Sequence, residues 1–221
     1  MPTKAKKKKA SPKRVAKKAA VKKPAKKPID VAAEVARRNR LFAKATPAGK
    51  RVLIAEDIIA QIKAKRFRPK AGVWVNPVNE KNTENIELDI KFNGTAPVRE
   101  LFLEKKIPAC ECCALGALFM SCTLYNNQTT VNDFTKEVIL DFQETVEDGK
   151  FTNGLTGFFS RAQLKLIEIA FEGGYGAFDT DRMSNTKALR VVSWEEKLPD
   201  DQKRLVAIMN NIINNKGTFV P

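Results

Sequence analysis

Along much of the chain apolar positions recur every three or four residues, the spacing that lines up one face of an α-helix. Asp30 can cap a helix running from about Val31 to Lys44, with Val31, Val35, Leu41 and Phe42 as scattered apolar contacts. After Thr46-Pro47-Ala48-Gly49 a second helix is expected from about Lys50 to Lys65, with Ile54, Ile58 and Ile62 on one face and Leu53 and Ile59 widening it. Cys112 to Tyr125 is apolar nearly all round, which predicts a buried central helix, and Asp133 to Val146 reads as amphipathic. Ser160-Arg161-Ala162-Gln163 has the form of a capping box, opening a helix whose inner face carries Leu164, Ile167 and Phe171 and which Gly173-Gly174 stops. Behind Asp200-Asp201, Leu205, Ile208, Met209, Ile212 and Ile213 repeat at helical spacing up to Gly217. A domain of this size has to bury several helix faces, so these stripes are expected in a core.

One stretch breaks the helical rhythm. Ile86-Glu87-Leu88-Asp89-Ile90-Lys91-Phe92 alternates strictly between apolar and polar before an Asn93-Gly94 turn, the clearest strand signal in the chain. Val73-Trp74-Val75 and Val191-Val192-Ser193-Trp194 read as two shorter strands. The fold class that follows is α+β, a mainly helical globular domain with a small β-sheet.

Charge changes this picture at one end. The sequence carries 40 Lys and Arg against 25 Asp and Glu, a net charge of +15, but the excess is not spread evenly. Residues 1–28 hold 12 Lys and 1 Arg with no acid, so everything beyond them is close to neutral. This segment consists largely of Lys, Ala and Pro and offers a core almost nothing to bury. It is expected to be disordered when free, with its prolines interrupting any helix. The expected organisation is a disordered basic tail over 1–28, a basic helical linker over 29–49 and one globular domain over 50–221.

The cations at issue are Lys4, Lys6, Lys7, Lys8, Lys9, Lys13, Arg14, Lys17, Lys18, Lys22, Lys23, Lys26 and Lys27, continued along the first helix by Arg37, Arg38 and Arg40. Each such charge that meets a nucleic-acid phosphate releases condensed counterions, giving an affinity that is steep in salt and indifferent to base sequence. Lysine is a flexible point charge and not a planar fork, so a lysine-dominated arm favours phosphate neutralisation over bidentate reading of guanine. Ala16-Lys17-Lys18-Ala19-Ala20 and Lys22-Lys23-Pro24-Ala25-Lys26-Lys27-Pro28 resemble the tails of linker histones and bacterial histone-like proteins, which bind and condense DNA without reading its sequence. The resemblance covers the first 28 residues and makes no claim on the rest. A second group of cations, Lys63, Lys65, Arg66, Arg68 and Lys70, gathers where the second helix ends, complementing the helix dipole or contacting phosphate.

Candidates for catalysis are few. The chain has no histidine, which excludes Ser-His-Asp and Cys-His chemistry and His-ligated metals. Cys110-Glu111-Cys112-Cys113 contains a C-x-x-C spacing, making Cys110, Cys112 and Cys113 the one place to look for a metal, although the second pair a structural zinc usually needs is missing. Packing in a core is the reading preferred for them, and for Cys122 within its apolar run. Gly173-Gly174-Tyr175-Gly176 lacks the rest of a phosphate-binding loop, and Phe178 to Asn185 lacks the glycine and terminal glutamate of a calcium loop. No apolar run follows the basic start, so it does not read as a secretory signal, and the longest apolar run is too short for a membrane span.

These features lead to one functional expectation: a non-enzymatic protein without a cofactor, intracellular and nucleic-acid-associated in a nucleoid, nucleus or virion interior. It would bind the phosphate backbone of DNA or RNA through the tail, while the body contacts a protein partner or further copies of itself. The alternative is a structural or assembly component of a virion or other large complex, whose basic arm lies against packaged nucleic acid.

Overall fold

The computed structural model describes residues 30–79, 84–126, 129–139, 155, 157–173, 194 and 196–221. The tail expected over 1–28, residues 191–193 of the strand expected over 191–194 and the glycine-rich stretch beyond Gly173 lie outside the described residues. Within them the fold is α+β, with helices around a small three-stranded mixed sheet.

Helix α1 spans Val31–Lys44, and the Asp30 side chain accepts the Ala33 N–H at 3.1 Å, as its position before the apolar pattern implies. Helix α2 spans Pro47–Lys63 and starts three residues ahead of the expected Lys50. Thr46 caps it through the Gly49 N–H, and Pro47 sits in the first turn, where its missing N–H costs nothing. Strand β1 (Phe67–Pro69) and strand β2 (Val75–Val78) flank strand β3 (Ala109–Cys112), β1 running parallel to β3 and β2 antiparallel to it. Pro69 and Pro77 both lie on the outer strands, where a missing donor is tolerated.

The alternating segment at 86–92 is not a strand. Asn79 donates to the Glu84 carbonyl and Ile86 to the Pro77 carbonyl, but the return bond at that pair would have to come from Pro77, which has no N–H. The ladder stops there, and the chain turns into the short helix α3 (Leu88–Lys91), leaving Ile86 and Leu88 buried and Ile90 77% exposed.

Helix α4 (Val98–Leu103) leads into β3, and the central helix α5 (Ala114–Asn126) follows it directly. The apolar run expected to be helical from Cys112 thus begins two residues later, because Cys112 belongs to the sheet. Helix α5 is buried from Ala114 to Tyr125, so no face of it needed to be polar. Gly116 is required at its start: a β-carbon there would stand 1.8 Å from the Trp74 carbonyl oxygen. Helix α6 covers Val131–Ile139; residues 140–146 of the expected amphipathic helix lie outside the described residues.

Helix α7 (Arg161–Glu172) is capped by Ser160 through the Gln163 N–H, buries Leu164, Ile167 and Phe171 as expected, and ends on Gly173 at φ 77°. Only half of the capping box forms. The Gln163 amide instead brackets Phe219, accepting its N–H at 2.7 Å and donating to its carbonyl at 3.2 Å. Helix α8 (Asp201–Asn214), capped by Asp200, brackets Val220 in the same way through Asn211, at 2.8 and 2.7 Å. Gly217, at φ 91°, lets the chain past the end of α8 approach α2, since a β-carbon there would meet the Ala48 carbonyl at 2.5 Å.

The basic linker expected over 29–49 is not a separate piece. Phe42 is buried in the same core as the central helix, stacked on Tyr125 at 5.3 Å and edge-on to Phe158 at 5.1 Å. Aromatic contacts of this kind hold α1 against α5, and the body begins at Asp30 rather than at residue 50.

Candidate nucleic-acid interface

The thirteen cations from Lys4 to Lys27 lie outside the described residues, so the structure bears on this interface through α1 and the surfaces beside it. The three arginines expected to continue the basic stripe meet three different environments. Arg40 is exposed. Arg37 is half-exposed and bound through Nε and Nη2 to the two carboxylate oxygens of Glu34, each at 2.7 Å. These bonds, followed by those from Arg38, hold the Glu34 carboxyl below the ordinary range despite its partial burial.

Arg38 is withdrawn from the stripe. It is 7% exposed, donates from Nε to Glu34 at 2.8 Å, and places Nη1 2.9 Å from Asp57 Oδ1, out of line for a hydrogen bond, so that contact is chiefly coulombic. Asp57 is buried as well, and accepts from Gln61 Nε2 at 3.0 Å and Ser121 Oγ at 2.9 Å, while the Arg38 guanidinium lies 4.9 Å from the Tyr125 ring centre. Burial acts to lower the Arg38 pKa, but the attraction of Asp57 at close contact and the bond to Glu34 outweigh it and raise the pKa above its ordinary value. The side chain is a polar tie joining α1, α2 and α5.

The signal for this was present in the sequence. Glu34, Arg38 and Phe42 stand four apart and therefore in one row on the helix, and Phe42 marks that row as inward. Asp57 and Gln61 likewise sit four apart inside the apolar face of α2, where an acidic residue requires a partner.

The cluster at the end of α2 divides in a similar way. Lys63 and Lys65 are exposed, whereas Lys70 is bound to Glu111 at 2.8 Å. Arg66 folds back on α4: its guanidinium lies 3.6 Å from the Phe102 ring centre, Nη2 donates to the Phe102 carbonyl, and the buried Nε has no partner. Desolvation pulls its pKa down to about 10. Arg51 of α2 is also turned to structural use, donating to the Phe158 carbonyl at 3.0 Å and to that of Gly217. Between α1, α2 and α4 opens a cleft of about 630 Å³ lined by Glu34, Arg38, Asp57, Lys65, Arg66 and Lys105, among others.

Cys110, Cys112, Cys113 and Cys122 are buried free thiols. Cys110 and Cys112, two apart on β3, share one face of the sheet, with Glu111 on the other facing Lys70. Cys113 caps α5, its sulfur accepting the Gly116 N–H at 3.5 Å. Burial pushes the Cys110 and Cys113 thiols up to about 12 and raises Cys112 and Cys122 as well, which disfavours the thiolate a metal or a redox reaction requires. Among the described residues no three His, Cys, Asp or Glu side chains converge as metal ligands.

Comparison with protein-family models, curated proteins and solved structures finds no match to this chain. Among the described residues no helix is long and apolar enough to cross a membrane.

Proposed function

We propose that the chain is a non-enzymatic, nucleic-acid-associated protein that binds the phosphate backbone of DNA or RNA through the lysines of residues 1–28, while the body from Asp30 onward carries the arm and makes protein contacts. The observation that supports this reading is the segregation of charge: 13 cations without an acid in 28 residues, joined to a body whose charges nearly cancel. The body's own arrangement is consistent with that division. Arg38, Arg51 and Arg66 are turned inward to carboxylates, carbonyls and a ring, leaving Arg40, Lys44 and the half-exposed Arg37 on α1 as the cations next to the arm. The interface would thus be the arm plus the outer face of α1.

The test is fluorescence anisotropy of the full chain, and of a chain beginning at Ile29, titrated onto unrelated DNA and RNA duplexes at several salt concentrations. The expected result is a log–log salt slope of about −0.9 per phosphate contacted, no sequence preference, and loss of most affinity on truncation. Undiminished binding by the truncated chain would refute the reading. Large uniform particles that form without the arm would favour an assembly component instead.

A further inference from the structure

The geometry points to a second anion site, independent of the arm: the cleft between α1, α2 and α4 binds a phosphate monoester through Arg66, Lys65 and Lys105. The two carboxylates in its wall are already engaged, Glu34 by Arg37 and Arg38 and Asp57 by Arg38, Gln61 and Ser121. What is left over is positive. Among the described residues Arg66 has no carboxylate partner and keeps a buried Nε without an acceptor, and neither Lys65 nor Lys105 forms an ion pair with any of them. The C-terminal ends of α2 and α4 oppose an anion with roughly half an elementary charge each, but three cations exceed that, and a dianion matches the remainder.

The backbone fixes where the two lysines stand. Helices α2 and α4 end in the same motif: the Arg66 and Lys106 N–H groups reach back to the carbonyls of Gln61 and Leu101, and the Lys65 and Lys105 N–H groups to those of Ile62 and Phe102. The residue at the turn must be left-handed, a place glycine fills at least cost, yet lysine stands there in both, at φ 60° and 61°. Both lysines line the cleft. Lys216 beyond α8 takes the same left-handed turn at φ 53° away from the cleft, so what sets Lys65 and Lys105 apart is their place beside Arg66. The volume of about 630 Å³ has room for a nucleotide-sized ligand around the phosphate.

The experiment is isothermal titration calorimetry on the full chain, with orthophosphate and adenosine 5′-monophosphate as probes, at about 0.15 M salt to screen surface charge. The arm is unchanged in every variant, so its contribution cancels in the comparison. Arg66→Met should weaken saturable binding about tenfold. A second variant decides independently: Lys65→Gly combined with Lys105→Gly relieves the backbone, so it should hold or raise the thermal midpoint while weakening binding at least severalfold. No saturable heat from the native chain up to about 10 mM probe, or unchanged affinity in the glycine pair, overturns the proposal. The source of the phosphate is read with 5′-phosphorylated and 5′-hydroxyl oligonucleotides. A preference for the former that the glycine pair abolishes supports a strand end as ligand, and monophosphate binding without that preference supports a free phosphorylated small molecule.

Discussion

Arg38 and Arg66 lie on the same cleft, the first buried and the second partly buried, and differ in what they face. Arg38 meets two carboxylates and its pKa rises; Arg66 meets a carbonyl and an aromatic ring, and its pKa falls to about 10. A buried cation with counter-charges is a structural tie, and one without them retains unused capacity to bind an anion. Glu168 on α7 shows a third outcome. It is buried, its Oε2 has no partner, and desolvation, aided by Glu172 and opposed by Lys165, pushes its pKa up to about 9. A carboxyl can settle such a conflict by keeping its proton, a route that an arginine lacks.

The sharpest way to break the contrast is Arg38→Met. It orphans Asp57 and is expected to cost about 3–5 kcal/mol in urea unfolding. Asp57→Asn should also destabilise, by leaving Arg38 with Glu34 as its remaining carboxylate. Next in size is the pH response of Glu168. The native state holds a proton that the unfolded chain releases between its ordinary 4.5 and about 9, so this group makes stability fall as pH rises through that window. The slope has a ceiling of about 1.4 kcal/mol per pH unit, and Glu168→Gln should flatten it, raising the urea midpoint relative to wild type at alkaline pH more than at acid pH.

Arg66→Met is expected to shift stability by no more than about 1 kcal/mol in either direction, because no counter-charge is orphaned and the apolar stem still packs on Phe102. A loss as large as that of Arg38→Met would show that the two arginines are alike after all. Smallest should be Arg37→Ala, whose half-exposed pair with Glu34 contributes about 0.5 kcal/mol, a difference that added salt should narrow.

The helices were legible because period and caps agree: Asp30, Ser160 and Asp200 each accept the backbone N–H that their positions implied. The sheet was not. Strands β1 and β3 have three and four residues and exist through pairings such as Phe67 with Cys110, a partnership no local pattern encodes. The strongest local strand signal failed at one missing N–H, that of Pro77. Among the candidate site residues, composition treated Arg37, Arg38 and Arg40 alike, and only their phase relative to Phe42 separates them. The cleft has no local signature for a related reason, since Lys65 and Lys105 are 40 residues apart and meet only when α2 and α4 do.

The amide clamps on Phe219 and Val220 have a consequence in time rather than energy. Both N–H groups belong to irregular chain and would ordinarily exchange with solvent deuterium within the fluctuations of a loop. Here each is held by a side chain rooted in a helix, Gln163 in α7 and Asn211 in α8, so their exchange should follow the opening of those helices. The protection of these two amides would then report on how firmly α7 and α8 hold the end of the chain between them.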